Sequence, residues 1–240
     1  MGDCIVIIPT FNEIENIEAM LRKVMSLDGR FHVLVVDDNS PDGTANLVRS
    51  LIPEFTGRIH LEVRSKKSGL GTAYVHGFRW ALERDYAFIF EMDADFSHNP
   101  DDLSKLLNAC ETGADMAIGS RYITGVNVVN WPLSRVLLSY FASIYVKIIT
   151  GMKINDATAG FICYRREVLE KIGLDRIRFI GYAFQIEMKY RAFSTGFRLV
   201  EVPIIFTDRT LGKSKMSNAI ISEAVLGVVW LRVRNIFNRL

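Results

Sequence analysis

The chain has 240 residues, 49% of them hydrophobic, with 29 basic and 27 acidic side chains and a formal charge of +2. That is enough apolar material for one full domain with an appendage, and the near-neutral balance argues against a dedicated nucleic-acid binder. Cys4, Cys110 and Cys163 form no CxxC pair and have no histidines at zinc-ligand spacing, so they read as buried thiols in a reducing compartment.

MGDC runs directly into the apolar IVIIP, without a basic region and long apolar core, and a cytoplasmic location is expected. CIVII predicts the first strand, and Ile14, Ile17, Leu21 and Val24 recur at helical spacing after it. HVLVVD, HLEVR, FIFEMD and MAIGS predict further strands. TANLVRSLI and segments near 71–83 and 101–112 predict the helices between them. Strand and helix alternating in this way imply an α/β domain whose mostly parallel sheet is covered on both faces.

Ligands in such sheets bind beyond the carboxyl ends of the strands. Here those ends carry PTFNE, DNSPDGT, SKKSGLGTA, DADFSH and SRY, which together supply carboxylates, lysines, an arginine and several glycines. DNSPDG has the composition of a turn. SGLGTA has neither the GK[ST] ending of a P-loop nor GxGxxG spacing, and reads as a helix N-terminus whose small residues permit close packing.

Glu91, Asp93 and Asp95 recur at every second residue, so a continuing strand would point all three to one face. Two such charges about 4 Å apart repel by roughly 4 kcal/mol at an effective dielectric near 20. A divalent cation held by Asp93 and Asp95 together with a diphosphate would relieve this repulsion, leaving Glu91 to a structural partner. Arg121, Arg209 and Lys215 have no acidic residue at helical spacing and suit phosphate groups.

The second half predicts a strand and helix in ATAGFICYRREVLEKI, a helix in GYAFQIEMKYRAF, a strand in RLVEVPIIFTDR and a basic loop in TLGKSKMS. Two further segments are apolar but interrupted by charge. One is 132–150 (PLSRVLLSYFASIYVKIIT), and the other, 219–240, carries Arg232, Arg234 and Arg239. Both read as helices lying on an apolar surface, not through a bilayer. The domain limits expected are a catalytic domain at 1–218, with a membrane-facing helix at 132–150, and an amphipathic interfacial segment at 219–240.

PTFNE, VVDDNSPDGT, GLGTA, MDADFSH, GSRY, GFICYRREVLEKI, GYAFQIEM and VPIIFTDR..GKSK follow one another much as in family 2 glycosyltransferases of the dolichyl-phosphate (polyprenyl-phosphate) mannose synthase type. The resemblance implies a GT-A fold, Mg2+ or Mn2+ as cofactor, GDP-mannose as donor and a polyprenyl monophosphate as acceptor. By the same resemblance Pro9, Phe11, Glu13, Val36 and Asp38 line the nucleoside pocket. Asp93, Ala94 and Asp95 hold the ribose side and the metal-diphosphate, with Asp95 the main ligand. Ser97 stands where some relatives place a metal-binding Gln. Arg121 faces both phosphates, Arg135 and Ser139 take the acceptor phosphate, and Arg209 and Lys215 close over the donor. Many relatives carry an acidic residue before SK, where this chain has Lys213.

A phosphate monoester, with a second pKa near 6, is already largely anionic at neutral pH, so such a reaction needs cations more than a base. In-line displacement with inversion is expected. A lipid acceptor would place the enzyme peripherally on the cytoplasmic face of a membrane, alone or through a membrane-anchoring subunit. The same motifs leave open a UDP-linked sugar as donor, and a non-catalytic nucleotide-binding scaffold is the reading from another functional class.

Overall fold

The computed structural model describes residues 4–181, 183–208 and 218–237. In chain order the strands are β1 Cys4–Thr10, β2 Phe31–Asp37, β3 Ile59–Val63, β4 Phe88–Glu91, β5 Met116–Ser120, β6 Val128–Val129, β7 Ile162–Arg165, β8 Leu199–Pro203 and β9 Phe206–Thr207. The α-helices are α1 Ile17–Met25, α2 Thr44–Leu51, α3 Leu70–Leu82, α4 Leu103–Glu111, α5 Leu133–Thr150, α6 Arg166–Lys171, α7 Ala183–Ser194 and α8 Asn218–Ile236.

Seven strands form one sheet in the order β3-β2-β1-β4-β7-β5-β8, and β6 pairs with β9 beside it. All neighbours in the large sheet are parallel except at β7, which runs against both β4 and β5. The alternation of side chains along the strands sorts the core into two layers. Ile5 and Ile7 of β1, with Leu34 and Val36 of β2, pack beneath Tyr74 and Phe78 of α3 and Phe184 of α7. Cys4, Val6 and Ile8, with Val33 and Val35, pack against Leu21 and Val24 of α1 and Leu103 and Leu106 of α4. Each fully buried aliphatic side chain contributes roughly 1.5–3 kcal/mol. Cys4, Cys110 and Cys163 are buried and not joined in disulfides, as expected for structural thiols.

Glycines fix the approach of α3. A Cβ on Gly77 would lie 2.6 Å from Ile7 Cγ2, and one on Gly71 would lie 2.7 Å from the Phe184 ring. The helix therefore sits closer to the sheet than any larger residue would allow. Gly69, at φ +102°, caps its start, which accounts for the small residues of SGLGTA without a phosphate loop.

α5 and α8 pack on each other and lean on the domain with one face only. Ser143, Val146 and Thr150 of α5 are buried, and the Tyr145 hydroxyl donates to the Val225 carbonyl at 2.9 Å. Leu133, Leu137, Phe141 and Ile148 are exposed, Leu133 and Ile148 by more than 70%. α5 is thus no core helix. Its length and mean hydropathy of 1.3 would allow it to cross a membrane, but its inner face is occupied by protein.

Candidate active site

The polar loops at the carboxyl edge are tied to one another by their own side chains. Thr10 Oγ1 donates to Asp37 Oδ2 at 2.8 Å, Ser40 Oγ donates to the same oxygen at 2.6 Å, and Ser40 N–H donates to Oδ1. Asp42 accepts from the Ile14 and Thr44 amides, while Thr44 Oγ1 accepts from Glu13 N–H. PTFNE is therefore tied to DNSPDGT, so the turn residues form the scaffold for Pro9, Phe11 and Glu13. Asp38 is held by Arg64, whose Nε lies 2.6 Å from Oδ1 and whose Nη1 donates to Thr72.

A cleft of about 800 Å3 opens along this edge. Pro9, Phe11, Glu13, Asp38 and Lys67 line one end, with the Lys67 ammonium 4.5 Å from the Phe11 ring centroid. Asp93, Ala94, Asp95, His98 and Arg121 line its middle. Arg135, Ser139, Leu138, Phe141, Tyr145, Val225 and Val228 line the other end, between α5 and α8. Of the residues named from sequence, Val36 and Ser97 are not brought to the cleft. Val36 alternates into the core under α3, and buried Ser97 sits behind the loop, its amide donating to Asp95 Oδ1 at 3.1 Å and its carbonyl accepting from Thr207. Arg209 and Lys215 lie outside the described residues.

Glu91, Asp93 and Asp95 do not share a face, because β4 ends at Glu91. Glu91 turns inward, where Tyr164 Oη donates to it at 2.7 Å and Gln185 Nε2 donates to its other oxygen. Burial pushes its carboxyl up to about 7 and pushes the ammonium of buried Lys189 down to about 8. Lys189 is held by the carbonyls of Ala159, at 2.5 Å, and Gln185, at 3.2 Å. Past Glu91 the backbone turns sharply, and Phe96 adopts φ +60°, a conformation costly for a bulky side chain. This turn delivers Asp93 and Asp95 to the cleft.

His98 supports that turn from below. It is buried, its ring stacks on Phe161 at 4.9 Å, and its Nδ1 accepts from Asp93 N–H at 3.4 Å. Burial pushes its pKa down to about 4, so it is neutral at physiological pH and a weak base. No three His, Cys, Asp or Glu side chains cluster as a metal site among the described residues. Two carboxylates at the cleft edge do match a Mg2+ or Mn2+ ion whose remaining ligands are substrate phosphates and water.

Arg121 has an acidic partner that helical spacing could not reveal. Asp156, from the segment before β7, accepts from Arg121 Nε at 2.7 Å and from Nη2 at 2.6 Å, and Thr158 Oγ1 accepts from Nη2 at 2.8 Å. Burial alone would raise the Asp156 pKa, but the adjacent guanidinium outweighs it and the carboxyl lies below its ordinary value. Glu201 in turn accepts from the Asn155 and Asp156 amides and from Ser120 Oγ. Arg135 stands nearby, 4.0 Å from the Trp131 ring and 2.9 Å from Asp208. The cleft thus joins metal-suited carboxylates, two arginines and an apolar groove.

Sequence reasoning missed Asp156, Thr158, His98 and Gln185. The signal available was weak: INDAT is an ordinary loop by composition, and the His after DADFS stands out only by its proximity to the carboxylates.

The model of the family described as "Glycosyl transferase family 2" matches residues 5–173. The chain is 49% identical to the polyprenol monophosphomannose synthase of Mycolicibacterium smegmatis, over 98% of this chain and 89% of that protein. It is 47% identical to the undecaprenyl-phosphate mannosyltransferase of Micrococcus luteus, over 92% and 90% respectively. Among solved structures, glucosyl-3-phosphoglycerate synthase from Mycobacterium tuberculosis, in complex with Mn2+, UDP and glucosyl-3-phosphoglycerate, superposes with a TM-score of 0.67. That match has 16% identity and covers 99% of this chain and 80% of the other. The fold is GT-A.

Proposed function

The chain belongs to glycosyl transferase family 2, in the polyprenyl-phosphate mannose synthase group, and from that premise we propose that this glycosyltransferase moves mannose from GDP-mannose to a polyprenyl monophosphate. The observation that carries the reading is the continuity of the cleft. It runs from the nucleoside end, past Asp93 and Asp95, to Arg121 and Arg135, and on between the apolar walls of α5 and α8.

In this reading Pro9, Phe11, Glu13 and Asp38 hold the nucleoside. Asp93 and Asp95 hold Mg2+ or Mn2+, which neutralises the departing diphosphate when bound. Arg121 and Arg135, with Ser139 one helical turn beyond Arg135, gather the acceptor phosphate. Arg209 and Lys215 complete the cationic surround. An acceptor phosphate oxygen attacks the anomeric carbon as the bond to the donor diphosphate breaks, with inversion and release of GDP. No side chain has to remove a proton, since the attacking oxygen is already anionic. The weak basicity of His98 is consistent with that. What the site contributes is the approach of two anions, which repel each other in water.

The apolar half of the cleft suits the isoprenoid chain next to the phosphate, and the exposed faces of α5 and α8 suit the bilayer that holds the rest of it. The protein then works peripherally, at the cytoplasmic surface of a membrane, with or without an anchoring subunit.

The test is incubation of purified protein with Mg2+ or Mn2+, polyprenyl phosphate and labelled GDP-mannose, UDP-glucose or UDP-N-acetylglucosamine, followed by lipid extraction. Label should enter the lipid from GDP-mannose, and the product should be the β-anomer. Transfer from a UDP-sugar alone would replace the donor assignment, an α-product would overturn inversion, and unlabelled lipid from every donor would overturn the reading.

A further inference from the structure

α8 is docked through a close contact at Gly227. A Cβ there would lie 2.6 Å from the Phe179 ring, and Trp230, one turn on, meets the same ring edge-to-face at 5.9 Å. On the helix's inner side Asn235 Nδ2 donates to Tyr190 Oη at 3.1 Å. Its outer side leaves Leu226, Val229, Val233 and Ile236 exposed, with Phe237 just past its end, at steps of three and four residues that make one stripe.

Along the border of that stripe two guanidiniums share one indole. Arg178 Cζ lies 4.6 Å and Arg234 Cζ 5.0 Å from the Trp230 ring centroid. Two like charges are thereby held within about 10 Å, a Debye length in 0.1 M salt. Neither pairs with a carboxylate among the described residues, unlike Arg121, Arg135 and Arg191. The arrangement is also held from below. Glu187 Oε2 accepts from the Arg178 and Phe179 amides at 2.9 Å each, and its Oε1 is clamped by Arg191. The backbone of Arg178 is therefore fixed by a buried ion pair, and its cation is carried to the edge of an apolar face with no carboxylate beside it among the described residues.

We propose that Arg178, Trp230 and Arg234 form a docking site for the phosphate headgroup of an anionic phospholipid, so that the α8 face selects negatively charged membrane. The site rests on the membrane-surface reading above. Charge complementarity identifies the occupant: two cations bracket a phosphate, an indole sits at headgroup depth, and the adjoining apolar stripe enters the acyl region.

Vesicle flotation with phosphatidylcholine alone, and with phosphatidylcholine mixed with phosphatidylglycerol, tests this on the full chain. The wild type should partition more strongly onto the anionic vesicles, and this preference should weaken with salt. Arg178→Gln and Arg234→Gln should each reduce anionic binding about fivefold. The double variant should lose the preference while keeping its melting temperature and its turnover on a short-chain, detergent-free acceptor. Arg178→Lys with Arg234→Lys should restore most of it. A double Gln variant that still prefers phosphatidylglycerol overturns the proposal and leaves the membrane reading standing. Release of wild type by inorganic phosphate at constant ionic strength overturns it in favour of a free-anion site. No flotation with either vesicle overturns the membrane reading itself.

Discussion

The two halves of the cleft are organised in opposite ways. At the strand edge nearly every polar group is held by another: Asp37 by Thr10 and Ser40, Asp38 by Arg64, Arg121 by Asp156 and Thr158. Between α5 and α8 the walls beyond Arg135 and Ser139 are mostly apolar, and the outward sides of this helix pair expose Leu133, Ile148, Leu226 and Phe237. The first half is preorganised, so its ligand meets charges already in place. The second is complete only against an apolar partner, and an exposed apolar face of that kind marks an interaction surface.

The sharpest break in this contrast comes at the carboxylates. Asp95→Ala should reduce turnover about a thousandfold or more in the labelled-lipid assay, with loss of the metal requirement. Retained activity with normal metal dependence would make Asp95 a structural residue. Next in size, Asp156→Asn leaves the buried Arg121 guanidinium without its counter-charge. It should cost about 3–5 kcal/mol in urea denaturation and lower activity with it. A small cost would mean that Arg121 is positioned by its aromatic neighbours Trp131 and Phe206 instead.

The apolar half should behave in reverse. Leu133, Leu137 and Ile148 share one exposed face of α5, and their replacement by Asn should leave the melting temperature unchanged. Vesicle flotation should weaken by roughly 1–2 kcal/mol for each side chain. Unchanged flotation would place the membrane contact on α8 alone. The smallest effect is a pH dependence of stability. The Glu91 carboxyl, pushed up to about 7 by burial, binds its proton more tightly in the folded chain than in the unfolded one. The stability it contributes is complete below the ordinary Glu range and is lost as the pH rises through about 7, on the order of 3 kcal/mol. Glu91→Gln should flatten that stretch of the stability curve, and an unchanged slope would assign it to another group.

Much of the fold is legible from the chain because its strands are β-branched runs separated by periodic helices. CIVII, HVLVVD and MAIGS each became a strand of the sheet, and PLSRVLLSYFASIYVKIIT became the one-sided helix α5. Asp93, Asp95 and Arg121 could be placed at the carboxyl edge on topology alone. What spacing cannot show is contact across the sheet. A continuing strand would have put Glu91, Asp93 and Asp95 on one face, but β4 stops at Glu91, which turns to Tyr164 and Gln185 as the structural partners expected for it. The Arg121–Asp156 pair joins residues 35 apart through the reversal at β7, and no helical or strand period reports such a distance. Val36 was assigned to the nucleoside pocket by resemblance, but its place in the alternation of β2 turns its side chain under α3.

That reversal at β7 has a consequence for how this scaffold can change. A strand running against its neighbours begins where they end, so the segment leading into it arrives at the same rim as the loops that leave β4 and β5. Residues 151–161 reach the cleft without a helix crossing of their own, and they bring Asp156 and Thr158 to the back of Arg121. The stretch from Gly151 to Asn155 is open to change only in part, since Met152 and Ile154 are buried in the core and Asn155 is held by Glu201, so recomposition on this rim falls on Lys153, while the loops after β1, β2 and β4 keep the register that the parallel strands impose.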